Sequence, residues 1–196
     1  MKKRLEDIKE ILLIVDVLNG FIREGKMSDE YTSHVIPEIV RLSNIMLERG
    51  GQIVFIKDSH ELGCREFDRY PEHCIRGTSE AEVVDELKPY EKDALVYYKN
   101  STSAIFAPHF MEGISKMKNL RRIIGTGLEA DICDMNLFIP LNNYFDEINR
   151  RVEIIVPENA VETFEGPNHN REEYRDMAFK LMEQSGITLV KKYGKR

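Results

Sequence analysis

Short apolar runs alternate with longer amphipathic segments from one end of the chain to the other. Six runs read as strands: "EILLIVDV" (10–17), "QIVFIKD" (52–58), "ALVYY" (94–98), "RRIIGTG" (121–127), "VEIIV" (152–156) and "ITLV" (187–190). Most are continuous rather than alternating, as expected when helices cover both faces of a parallel sheet. Between them, Tyr31 to Arg49, Ile105 to Lys118, Asp131 to Ile148 and Arg171 to Gln184 carry helical spacing, and "ERGGQ" and "QSGI" supply glycine stops. The alternation predicts an α/β fold, a single domain over residues 1–196 with a doubly wound, mainly parallel sheet of about six strands and helices on both faces. Two segments break the rhythm. Residues 59–93 hold many polar groups and little helical pattern, and loops that long in a compact domain are usually functional. Pro140 falls inside the Asp131–Ile148 pattern, which predicts a helix that kinks or stops there.

In an open parallel sheet, ligands bind beyond the carboxyl ends of the strands. That rule singles out Asp16 after the first strand, Asp58 and His60 at the second, Lys99 after the third and Cys133 after the fourth. A carboxylate in a run as apolar as "ILLIVDVL" is costly unless it is paired or working, although an Asp capping the next turn is the plainer reading. Lys99 read alone is an exposed strand-end lysine, and Cys133 read alone is an inert buried thiol. Together they form an acid, a cation and a nucleophile, the minimum set for acyl transfer. A helix beginning near Glu129 to Asp131 would place Cys133 in the positive field of its first turn, which lowers a thiol pKa.

Gly125, Gly127 and Ala130 also spell G-x-G-x-x-A, the fingerprint of a dinucleotide-binding turn, and "VEIIVPE" would offer a ribose-binding acid. A pyrophosphate there would face Glu129, Asp131 and Asp134, three acids in one turn. The turn is therefore read as presenting a nucleophile, with a nucleotide-binding module as the rival. The long loop adds "KDSHELGCREFDRYPEHC", in which Asp58, His60, Glu66 and His73 could hold Zn, Fe or Mn, or remain idle on a polar surface. Cys64 and Cys74 flank this cluster and are read as packing residues, while His34, His109 and His169 lie outside it with no special role.

The totals narrow the setting. A chain of 196 residues suits one well-buried domain, and a net charge of −6 argues against a nucleic-acid partner. No apolar run is long enough to span a bilayer, and the charged N-terminus does not read as a signal peptide. Three cysteines, none at C-x-x-C spacing, disfavour a disulfide framework and point to a reducing cytoplasm.

At these residues the chain resembles the isochorismatase-like cysteine hydrolases, and within them most closely the nicotinamidases, from about Ile11 to Ile187. "LLIVDVLNGFI" resembles the family's first strand, "KDSHE" with "YPEHCIRGTSEAEVVDEL" its metal segment, "YKNSTSAIF" its K-x-x-x-S-A-F element and "GLEADIC" its G-V-x-T-D-x-C turn. The resemblance implies a catalytic triad of Asp16, Lys99 and Cys133. It implies an oxyanion hole from the backbone N–H groups of Glu129 and Cys133, beside a cis peptide between Leu128 and Glu129. Asp58, His60, Glu66 and His73 become ligands of a divalent metal, zinc first with iron or manganese as alternatives, and Phe21 and Tyr70 become substrate contacts. The implied activity is hydrolysis of nicotinamide, a small-molecule amide, by a homo-oligomer; a sister amidase acting on another amide or a carbamoyl compound, or a catalytically dead relative, are the alternatives. Four features depart from the family pattern: Ala130 for Thr, Leu18 for Gln, Asp134 for an apolar residue, and a longer stretch from Cys133 to Val152.

Overall fold

Six parallel strands form one sheet in the order β3-β2-β1-β4-β5-β6. They are β1 (Glu10–Val15), β2 (Gln52–Asp58), β3 (Leu95–Lys99), β4 (Arg122–Gly127), β5 (Glu153–Pro157) and β6 (Thr188–Val190), each within two residues of the run that predicts it. The computed structural model describes residues 3–194. The continuous apolar runs have a direct cause in β1. Ile11, Leu13 and Val15 enter one core cluster, while Leu12 and Ile14 enter another on the opposite face.

Helices α1 (Asn19–Ile22), α2 (Ile36–Glu48) and α3 (Lys88–Glu91) lie on the face of Leu12 and Ile14, and α4 (Phe110–Lys116), α5 (Met135–Glu147) and α6 (Arg171–Gln184) on the other. α2 is preceded by a 3₁₀ turn, Glu30–Val35, whose start is capped by Asp29 accepting the Tyr31 N–H at 3.0 Å. The helix predicted over Ile105 to Lys118 is divided into a 3₁₀ turn (Ala104–Phe106) and α4. Pro108 is the reason: it disfavours the helical region for Ala107, which sits at φ −62°, ψ 136°.

Pro140 does not stop its helix; α5 runs through it to Glu147. A proline cannot donate to the carbonyl four residues back. Here that carbonyl, on Asn136, instead accepts the Ser103 hydroxyl at 2.7 Å. A side chain from the segment after β3 thus satisfies the group that the ring leaves free.

The long segment between β2 and β3 contains two 3₁₀ turns (Arg65–Asp68 and Ser79–Ala81) and α3; an isolated bridge, His60–Ile75, closes it on itself, and another, Leu18–Val83, ties it to the chain just after β1. None of the described helices is long and apolar enough to cross a membrane. The chain builds outward from β1 to β3, returns across the sheet to β4, and builds outward again to β6. That reversal between β1 and β4 opens a crevice at their carboxyl ends.

Candidate active site

Register delivers three of the polar groups to that crevice. Asp58 pairs with Lys99 at the ends of β2 and β3, and Asp16 follows β1 with its backbone in the left-handed region at φ 51°. An Asp tolerates that region better than most side chains, and its use at a strand end redirects the carboxylate. Lys99 Nζ lies 2.8 Å from Asp16 Oδ2, contacts Asp58 Oδ1, and stands 3.5 Å from Cys133 Sγ. Asp16 Oδ1 accepts the Asp58 N–H at 2.8 Å. Asp16, Lys99 and Cys133 are all buried. Residues far apart in sequence therefore meet at one rim, as the strand-end reading expects.

Burial sets the protonation states. Asp16 is pushed up to about 6 by burial and by the nearby Asp58 charge, against the pull of Lys99. Burial would raise Asp58 as well, but Lys99 and the neighbouring imidazoles of His60 and His73 outweigh it and hold that carboxyl low. Burial also disfavours the Lys99 cation, yet Asp16, Asp58 and Cys133 hold it well above the ordinary range. The Cys133 thiol goes up, not down. Its burial, with Asp16 and Asp58 nearby, exceeds the lowering by Lys99, which corrects the expectation drawn from a helix start.

The turn carrying Cys133 begins with a cis peptide between Leu128 and Glu129 and continues as one π-helical turn, Ala130–Asp134, that leads into α5. The N–H of Ala130 goes to Glu162 O, and those of Ile132 and Asp134 go to Glu129 O. None of these contacts uses the N–H groups of Glu129 or Cys133, the pair expected to hold an oxyanion. The glycines of the rival dinucleotide reading serve packing. A Cβ on Gly125 would come within 2.6 Å of the Phe138 ring, and one on Gly127 (φ +140°) within 2.1 Å of Val15 O. The strand order alone would suit a dinucleotide fold, but such folds place the phosphate turn after their first strand, not their fourth.

Beside the triad, Asp58, His60, Glu66 and His73 each offer one ligand atom within 4.8 Å of the others, and all four are buried. His60 Nε2 lies 3.5 Å from Asp58 Oδ2 and 3.9 Å from Glu66 Oε1, and His73 Nε2 lies 3.7 Å from Asp58 Oδ2. His60 Nε2 and Glu66 Oε2 are buried with no hydrogen-bond partner, a costly state unless a cation occupies the space between them. The opposite ring nitrogens fix the orientation: His73 Nδ1 meets Pro71 O at 2.7 Å, and His60 Nδ1 meets Asn100 Oδ1 at 3.2 Å. This donor set of two imidazoles and two carboxylates fits a divalent ion such as zinc. Cys64 lies closer to the chemistry than a packing role implies, with Sγ 3.6 Å from His60 Nδ1, whereas Cys74 is a fully buried core thiol.

A small, narrow pocket adjoins both groups, lined by Phe21, Tyr70, Glu66, His73, Glu129 and Cys133 among others. Phe21 and Tyr70 thus face one space with the nucleophile. Larger hollows lie elsewhere; one at the amino ends of β2 and β3, lined by Leu5, Ile8 and Tyr90, holds none of these reactive groups.

The isochorismatase domain matches residues 10–192. The chain belongs to the isochorismatase family. Nicotinamidase 1 of Arabidopsis thaliana is 32% identical over 137 residues, a match covering 62% of this chain and 55% of that protein, so the chain spans about half the length of this relative. A second protein of that plant, named a probable inactive nicotinamidase, is 24% identical over 62% of this chain and 67% of its own length. Among solved structures, pyrazinamidase/nicotinamidase from Streptococcus mutans superposes with a TM-score of 0.79 at 21% identity, covering 93% of this chain and all (100%) of that one. Pyrazinamidase of Pyrococcus horikoshii, solved in complex with zinc, gives 0.75 at 22% identity over 93% and 98%. These two likenesses establish the shared fold.

Within the isochorismatase fold this chain places one group that motif reading left without a role. Asp134 is fully buried and neither carboxylate oxygen has a partner. Burial, then the Asp16 charge, pushes it well above its ordinary value. The folded state therefore holds a proton that the unfolded chain releases. Its stabilising term is full below about pH 3.9, the unfolded value, and is lost as pH rises toward the folded value. Asp134→Val is expected to stabilise the protein at neutral pH by about 1–3 kcal/mol and to flatten that slope. Urea denaturation at two pH values measures both, and an unchanged or lower midpoint would contradict this account.

Proposed function

We propose that the chain is a cysteine amidohydrolase converting nicotinamide to nicotinate and ammonia. The observation that carries this reading is the meeting of Asp16 and Lys99 at Cys133, which lines a pocket together with Asp58, Glu66 and His73 of the donor cluster. Asp16 takes the thiol proton as Cys133 Sγ attacks the carboxamide carbon. The carbonyl oxygen gains the electron pair and is held by the N–H groups of Glu129 and Cys133. Asp16 then passes its proton to the departing nitrogen, which leaves as ammonia and gives a thioester. Water attacks that thioester with Asp16 again as base, and the sulfur leaves and recovers its proton. Lys99 stabilises the charge passed between acid and thiol. A divalent ion held by Asp58, His60, Glu66 and His73 would supply a Lewis-acidic contact for a ring nitrogen, orienting the substrate between Phe21 and Tyr70.

The competing reading is a sister amidase acting on a carbamoyl compound. Two observations weigh against a carbamoyl amino acid. No arginine or lysine lines the pocket, and two carboxylates in the ligand set already balance the charge of a divalent ion. An anionic substrate finds no cation on the lining beyond the buried Lys99 behind Cys133, whereas a neutral ring amide needs none. The purified, zinc-supplemented protein is expected to release ammonia from nicotinamide and not from an N-carbamoyl amino acid. The reverse preference, or ammonia from neither, sinks the assignment.

A further inference from the structure

His169 carries no motif and lies 36 residues beyond Cys133 in sequence, yet its side chain is largely buried and joined to the turn that carries Cys133. Its ring is stacked between Phe164, with centroids 4.0 Å apart and planes 7° apart, and Tyr174, at 3.9 Å and 29°. Nε2 lies 2.9 Å from Asp131 Oδ2 and Nδ1 lies 3.0 Å from Phe164 O. Both partners are acceptors, and the tautomer decides which ring nitrogen donates. The second oxygen of Asp131 is also taken, by the Thr163 hydroxyl at 2.6 Å. Each of these polar atoms has a partner within hydrogen-bond distance, and side-chain exposure is only 13% for His169 and 10% for Asp131.

The location gives this cluster its meaning. Asp131 belongs to the π turn, two residues before Cys133, between the two N–H groups assigned to the oxyanion. The same turn is tied by its Ala130 N–H to Glu162 O, one residue from Thr163. The segment from Glu162 to His169 therefore grips the turn from behind by backbone and side chain together. Asn170 caps α6 by accepting the Glu173 N–H, so His169 stands at the fixed start of a helix rather than on a free loop.

We propose that His169 is a positioning residue for the nucleophile: held between two rings, it fixes Asp131, and through Asp131 the backbone that presents Cys133 and its flanking N–H groups. For turnover this rests on the amidohydrolase reading above. The effect expected is on the reactive geometry, not on substrate capture or the fold.

His169→Phe keeps a flat ring between Phe164 and Tyr174 but removes both ring-nitrogen contacts. His169→Gln returns one N–H donor toward Asp131. The readouts are kcat and KM for nicotinamide, the thermal midpoint, and the rate at which iodoacetamide alkylates Cys133, followed on its own peptide. In His169→Phe, kcat should fall about 10–100-fold with KM within about twofold, since small displacements of reacting groups act on rate. Alkylation should slow about fivefold or more as the thiol turns from Asp16 and Lys99. The midpoint should stay within about 2 °C of the wild type, and His169→Gln should fall between. Rates within about twofold of the wild type overturn the proposal. So does a loss that tracks a lowered midpoint, or a glutamine variant no better than phenylalanine. Alkylation requires no substrate, so a wild type inert toward nicotinamide would sink the functional reading while leaving this test intact.

Discussion

Asp16→Asn lowers kcat for amide hydrolysis by about 10³–10⁴-fold without unfolding the protein. The reason lies in the resting state. Burial keeps the Cys133 thiol protonated despite Lys99, so the nucleophile exists only as its proton is taken during attack. Asparagine preserves size and can still accept the Asp58 N–H, now at 2.8 Å from Asp16 Oδ1, and Lys99 retains Asp58 as a partner. What it cannot do is receive the proton. The wild type should also show an acid limb. Asp16 must be ionised to act as base, and its carboxyl is pushed up to about 6, so kcat falls as pH drops below that value. The asparagine variant should lack the limb. A residual rate within about tenfold of the wild type, or an unchanged pH profile, would refute the role of Asp16 as the base.

How far the site was readable follows from where its signals lie. Asp16, Asp58 and Lys99 announce themselves as polar residues ending apolar runs, Cys133 follows the fourth run in the next turn, and a parallel sheet brings such positions to one edge without further information. The metal candidates fall within sixteen residues of one another and follow a single loop. The strands were legible because β1, β2 and β4 are buried on both faces, and burial writes a continuous apolar run. What escaped was decided by partners distant in sequence. Pro140 is tolerated because of Ser103, and His169 matters because of Asp131 and two rings that obey no period. The thiol was misjudged for a similar reason. A local argument from a helix start was outweighed by burial and by carboxylates arriving from β1 and β2, which no local reading could weigh.

Stripping the metal site with a chelator should lower kcat/KM for nicotinamide by about 10²-fold or more, because loss of orientation alone has effects of that size. Adding zinc back should restore the rate and raise the thermal midpoint, since an ion bound only by the folded chain stabilises it by mass action. Asp58 makes the result sharper than a simple ligand loss. One of its oxygens contacts Lys99 and the other faces His60 and His73, so the same carboxylate belongs to both centres. His60→Ala should reproduce the chelated enzyme and be indifferent to added zinc, because Lys99 keeps both of its anionic partners. Asp58→Asn should be slower than either, since it weakens the ligand set and also removes one of the two charges that hold Lys99 beside the thiol. Equal rates for His60→Ala and Asp58→Asn would mean that the two centres are independent. Full turnover by protein from which atomic emission detects no metal would mean that the four ligands serve the fold alone.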